Sequence, residues 1–312
     1  MKFALVFPGQ GSQVVGMGRS LAESYPSARA VFEEVDAALG QNLSRLMFEG
    51  PAEELTLTAN AQPALMAASL AVLRVLEQDR GLDLAEHVQC VAGHSLGEYS
   101  ALAAAGTLTI TDAAKLLRIR GEAMQRAVAP GAGAMAALIG AEPAQAAEIA
   151  AEARQGAVCD VANDNGGGQV VLSGDAAAVE RAVAIAQGRG IKRAVMLNVS
   201  APFHCRLMEP AAEAMRQALA AVRIAAPLVP VYANVTAAPV TSPEAIREAL
   251  VAQVTGTVRW RECVAAMAGA GVTRFLELGA GKVLTGLAKR IAPGATAAAI
   301  GGPDEVAAFS AA

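Results

Sequence analysis

Apolar and polar positions follow two different rhythms along this chain. The apolar run "FALVF" at 3–7 gives way to the glycine-rich "PGQGSQ". This predicts a buried strand, a loop, and then a helix from about Gly16. Helical spacing of apolar residues follows at roughly 27–39 and 62–78. A second apolar run, "VQCVAG" at 88–93, breaks at Gly93, and "LGEYSALAAAG" resumes with helical spacing. Residues 133–198 read differently. "GAMAALIG" predicts a strand, "PAQAAEIAAEARQ" a helix, and "VCDVAND" and "GQVVLSG" two strands joined through "NGGG". "DAAAVERAVAIAQGRG" then predicts a helix and "KRAVMLNV" a last strand. The order β-α-β-β-α-β is that of a ferredoxin-like unit. Beyond it come "VPVYANV" (229–235), "RFLELG" (274–279) and the glycine-bounded helix "GKVLTGLAKRIA". The pattern therefore predicts an α/β protein. Residues 1–130 and 199–312 form a large domain with a parallel sheet, and residues 131–198 form an inserted subdomain.

Composition narrows the class. Of 312 residues, 54% are hydrophobic and only 17% charged, enough for a large core and unlike a disordered chain. No apolar stretch reads as long and uncharged enough to span a bilayer, and "MKFALVFPGQ" is too short for a signal peptide. A cytoplasmic protein without membrane contact is expected. A net charge of −4 argues against wholesale nucleic-acid binding, which needs a surplus of Lys and Arg. Cys90, Cys159, Cys205 and Cys263 form no C-x-x-C pair and no zinc spacing. They are expected to be reduced and mostly buried, and no metal site is expected.

The break after the second strand carries the chemistry. Gly93, Ser95 and Gly97 spell G-x-S-x-G between a strand and a helix, the context a nucleophile elbow requires. A serine hydroxyl needs a base, and histidine is the usual one near neutral pH. The chain has three. His87 lies in polar "DLAEHVQ" and reads as a solvated residue. His94 adjoins Ser95, and neighbours on a tight elbow diverge, so it supports the turn. His204, in "NVSAPFHCRLMEP", precedes a helical pattern whose N-terminus disfavours imidazolium. His204 is the base by elimination. Asp160, Asp164 or Asp175 could orient it, as could a backbone carbonyl; spacing does not choose among them.

One arginine is out of place. In "TDAAKLLRIRGEAMQRAV" (111–128), capped by Thr111 or Asp112, one broad face holds Ala113, Leu116, Leu117, Ile119, Ala123, Met124 and Ala127. Arg120 points into the middle of it, and Arg118 points the opposite way. A guanidinium there needs an anion. The partner is either an internal carboxylate or a carboxylate-bearing substrate gripped by two hydrogen bonds.

"FPGQGSQ", "GHSLGEYSAL", "RIRGEAM", "SAPFH" and "QVTGTVRW" occur together and in order. As a set they resemble the malonyl-CoA:acyl carrier protein transacylases of bacterial fatty-acid synthesis, over roughly residues 3–290. The resemblance implies an α/β-hydrolase-like large domain with a ferredoxin-like insert. It implies a malonyl ester on Ser95, His204 as base, and Gln253 as the main-chain carbonyl that orients His204. Backbone N–H groups of Gln10 and Leu96 would form the oxyanion hole. Arg120 would bind the malonyl carboxylate, and Phe203, just before His204, resembles the phenylalanine found beside the histidine in malonyl-selective acyltransferases. Asn163 and Asn165, in "ANDNGGGQ", either line the interdomain cleft or form a plain hairpin turn. The implied reaction is ping-pong acyl transfer without metal or redox cofactor, from malonyl-CoA to acyl carrier protein, by a chain acting as a monomer. Lys192–Arg193 and Lys289–Arg290 are the candidate basic patches for an acidic carrier protein. The alternatives are a serine hydrolase or thioesterase, or a malonyl transferase serving polyketide synthesis or malonate decarboxylation.

Overall fold

In the computed structural model, residues 3–191 and 193–311 are described. The ten strands among these residues are β1 (Phe3–Phe7), β2 (Val88–Gly93), β3 (Gly133–Ile139), β4 (Cys159–Gly166), β5 (Gln169–Asp175), β6 (Arg193–Met196), β7 (Val231–Ala233), β8 (Ala238–Val240), β9 (Arg274–Leu278) and β10 (Thr296–Ile300). Every residue of β1 is buried, as an apolar run without alternation requires of a central parallel strand. The larger sheet runs β10-β9-β1-β2-β7-β8 and is parallel except for the β7–β8 pair. Phe7 pairs with Gly93, so β1 and β2 end level. The loops that follow them, Gly9–Gln10 and His94–Ser95, therefore emerge side by side at the carboxyl edge of the sheet, where open α/β sheets build their sites.

The smaller sheet runs β4-β5-β3-β6 and is antiparallel throughout, the strand order of a ferredoxin-like unit. Its two faces have separate partners because side chains alternate along a strand. Ala136, Leu138, Val170 and Leu172 pack against helices Pro143–Arg154 and Ala176–Gly188. Met135, Ala137 and Val171 form a second cluster against Val199 and Phe203. The small sheet thus turns an apolar face toward the large one. Residues 257–258 extend its edge: the Val258 N–H donates to Ala162 O at 2.8 Å, and the Asp164 N–H to Val258 O at 2.9 Å.

Several expectations shift. The first helix begins at Arg19 rather than Gly16, because Gly16 and Gly18 take left-handed φ values of 96° and 79°. The helix expected at 62–78 runs Thr58–Arg80 and carries Pro63 inside it. By length and composition it is apolar enough to cross a membrane, contrary to the expectation that no stretch would be. But 89% of its apolar window is buried inside the protein, between helices Pro26–Leu39 and Ile110–Arg126. Its length serves the core. Thr109, not Thr111 or Asp112, caps Ile110–Arg126, accepting from the Asp112 N–H. Ile119 is exposed, at the margin of the face assigned to it. All four cysteines are free and buried, and burial pushes the Cys90 thiol up to about 12.

Candidate active site

Ser95 sits between β2 and helix Gly97–Ala104 with φ of 53°, the strained conformation of an elbow that thrusts its side chain outward. The glycines on either side are required by close approach, not by φ. A Cβ on Gly93 would lie 1.9 Å from Gly97 O, and one on Gly97 2.2 Å from Phe7 O. Asn234, just after β7, spans the turn. Its Oδ1 accepts from the Ser95 N–H at 2.8 Å and its Nδ2 donates to Gly93 O at 2.7 Å.

His204 Nε2 lies 2.7 Å from Ser95 Oγ, and His204 Nδ1 lies 2.8 Å from Gln253 O. A carbonyl only accepts, so Nδ1 carries the hydrogen and Nε2 offers its lone pair to the serine hydroxyl. Burial, then the nearby Arg120 charge, pushes the His204 ring down to about 3. Those two causes keep the ring neutral, in place of the helix N-terminus expected from sequence. A neutral imidazole at this distance can take the hydroxyl proton.

The aspartates left open as orienting groups are occupied elsewhere. Asp160 pairs with Arg206 and Arg154, Asp164 with Arg261, and Asp175 accepts from the Val158 N–H. His94 is likewise engaged, its Nε2 donating to Asn165 Oδ1 at 2.8 Å, which ties the elbow to β4. His87 bonds the Asp83 main chain.

Arg120 is 1% exposed and reaches the serine. Its Nη2 donates to Ser95 Oγ at 3.1 Å and to Gln253 Oε1 at 2.8 Å, while Nη1 donates to Gln62 Oε1 at 2.8 Å. The guanidinium lies 5.8 Å from the Tyr99 ring centre. Among the described residues no carboxylate pairs with it directly; its partners are neutral amides and a hydroxyl.

These groups open on a cavity of about 390 Å³ between the two sheets. Ser95, His204, Arg120 and Phe203 line it, as do Asn163 and Asn165. Asn163 is buried there and bridges to Val258, so the pair does more than shape a hairpin. Gln10 and Leu96 line it too. Among the described residues their backbone N–H groups have no intramolecular acceptor. The Gln10 side chain is anchored on Thr58 Oγ1 at 3.1 Å. Among the described residues, no group of three His, Cys, Asp or Glu is placed to hold a metal ion.

Comparison with known proteins gives these groups a family. Residues 4–301 match the family described as "acyl transferase domain". The chain belongs to the acyl transferases. It is 49% identical to the malonyl CoA-acyl carrier protein transacylase of Escherichia coli K12, covering 98% of each chain. The acyl-carrier-protein S-malonyltransferase of Bartonella henselae superposes with a TM-score of 0.97 at 57% identity, covering 99% of this chain and 98% of that one. The holo complex of a type II PKS acyl-carrier protein with its malonyl-transacylase aligns at 0.95 and 43% identity, covering 98% of each chain.

Three residues of this acyl transferase's site were missed in the sequence, and a fourth was read only in part. Glu98, Asn234 and Gln62 were not singled out, and Gln253 was read only for its carbonyl. All four are buried. Gln253 Nε2 donates to Ser95 O at 3.0 Å, Glu98 Oε2 at 2.8 Å and Asn234 Oδ1 at 3.2 Å. Burial holds the Glu98 carboxyl up at about 7, against the pull of the Asn234 N–H, the Gln253 amide and Arg120. The signal was the one used for Arg120: a polar residue in an otherwise apolar element, as in "LGEYSALAAAG" and "VPVYANV". Of the candidate basic patches, Arg193, Lys289 and Arg290 are exposed, and Lys192 lies outside the described residues.

Proposed function

We propose that this acyl transferase moves the malonyl group of malonyl-CoA to the phosphopantetheine thiol of an acyl carrier protein, through an ester on Ser95. The observation that carries the reading is Arg120, buried beside Ser95 Oγ without a direct carboxylate partner among the described residues. A substrate that brings its own carboxylate supplies one.

In the first half, Ser95 Oγ attacks the thioester carbonyl and its proton passes to His204 Nε2. The backbone N–H groups of Gln10 and Leu96 hold the oxyanion. As the C–S bond breaks, His204 returns the proton to the CoA sulfur. In the second half the carrier-protein thiol gives its proton to His204 and attacks the ester, and Ser95 leaves with that proton. The Gln253 carbonyl holds the tautomer this cycle needs. Phe203, Asn163 and Asn165 shape the acyl and pantetheine path.

The same reading divides the chain into a catalytic unit, 1–130 with 199–312, and an inserted unit, 131–198. It assigns the carrier-protein contact to the basic residues Arg193, Lys289 and Arg290, with fatty-acid synthesis as the setting. Four buried free thiols suit a reducing cytoplasm. A product assay tests the reading. Incubation with malonyl-CoA and holo carrier protein should yield malonyl-carrier protein; free malonate as the main product would make the chain a thioesterase.

A further inference from the structure

Glu98 takes no part in the steps above, yet its carboxyl is 1% exposed in the first turn of helix Gly97–Ala104. A buried carboxylate requires hydrogen bonds. Among the described residues, both that it receives come to one oxygen: Oε2 accepts from the Asn234 N–H at 2.9 Å and from Gln253 Nε2 at 2.8 Å.

The consequence falls on the Gln253 amide, whose two ends are interchangeable in shape but not in chemistry. Among the described residues its Nε2 faces only acceptors: Glu98 Oε2, Ser95 O and Asn234 Oδ1. Its Oε1 faces one donor, Arg120 Nη2. Turned over, the amide would set its oxygen against the Glu98 acceptor oxygen and the Ser95 carbonyl, and its NH₂ against a guanidinium. Of the three acceptors Glu98 Oε2 lies nearest, so it contributes most to the preference. Arg120 is then held from two sides, by Gln62 Oε1 and Gln253 Oε1, with Nη2 aimed at Ser95.

We infer that Glu98 is a positioning residue for recognition of the acyl carboxylate: it locks the Gln253 amide in the one orientation that presents Oε1 to Arg120, and so fixes the guanidinium where the acyl group arrives. The inference rests on the malonyl reading of the site.

The test compares Ser95 acylation by malonyl-CoA and acetyl-CoA in the full chain. Glu98→Leu removes the acceptor. Glu98→Gln keeps the size and one acceptor oxygen, loses the charge, and carries the same comparison where the leucine variant does not fold. Glu98→Leu should raise the malonyl KM about 10- to 100-fold, the scale of losses from misplaced binding groups, and leave acetyl transfer within about threefold. Glu98→Gln should move the same way by less. Glu98→Leu combined with Gln253→Leu should lose no more malonyl transfer than Gln253→Leu alone, since both act through one amide. Equal falls for both thioesters, no fall for either, or additive losses in the double variant would overturn the inference. Wild-type protein that takes acetyl as readily as malonyl would overturn the malonyl reading itself, before any variant is compared.

Discussion

His204 Nδ1 donates to the Gln253 carbonyl at 2.8 Å, and that bond leaves Nε2 facing Ser95 without a hydrogen. Nitrogen NMR of histidine-labelled protein at pH 5 should therefore show one of the three histidines as a neutral ring protonated at Nδ1, and His204→Gln should remove that signal. The folded ring titrates at about 3 against an ordinary value of 6.5. The unfolded chain thus takes up a proton that the folded one refuses. The stabilisation is full above pH 6.5 and is lost as pH falls toward 3. An imidazolium at His204 at pH 5 would contradict this.

Arg120 is predicted to select the acyl group. Arg120→Ala should cost malonyl transfer roughly 2–4 kcal/mol, a factor of about 30 to 1,000 in kcat/KM. Acetyl transfer should hold or rise, because the neutral acyl group leaves the wild-type guanidinium unpaired in the pocket. Arg120→Lys should recover little, since an ammonium lacks the planar fork. Kinetics with both thioesters decide the matter: equal falls would make Arg120 a purely structural residue.

Asn234→Ala should loosen the elbow. The Ser95 N–H and the Gly93 carbonyl would both lose their partner in the core, at about 1–3 kcal/mol each. A lower urea midpoint with unchanged slope is expected, together with slower Ser95 acylation by both thioesters. A variant with wild-type midpoint and rate would show that the turn holds without this staple.

The sequence made some parts of this site legible and hid others. β1 and β2 stood out because a strand buried on both faces is a continuous apolar run, and the glycines after them marked the loops. Arg120 stood out because a charge on an apolar helix face demands an explanation. β10 did not: "TAAAI" is alanine-rich and alternates in burial at a sheet edge, where composition says little. The Asp alternatives for His204 stayed open because its partner is a backbone carbonyl, which every residue has. Glu98, Asn234 and Gln253 meet across separations of up to 155 residues, and no spacing rule spans that distance.

In the proposed reaction Ser95 carries the acyl group. The direct measurement is intact-protein mass spectrometry with peptide mapping after brief mixing with malonyl-CoA in the absence of carrier protein. One malonyl adduct per chain, on Ser95, is predicted, and it should disappear on adding holo carrier protein. Malonyl on another residue, or no adduct while transfer to the carrier protein proceeds, would contradict it.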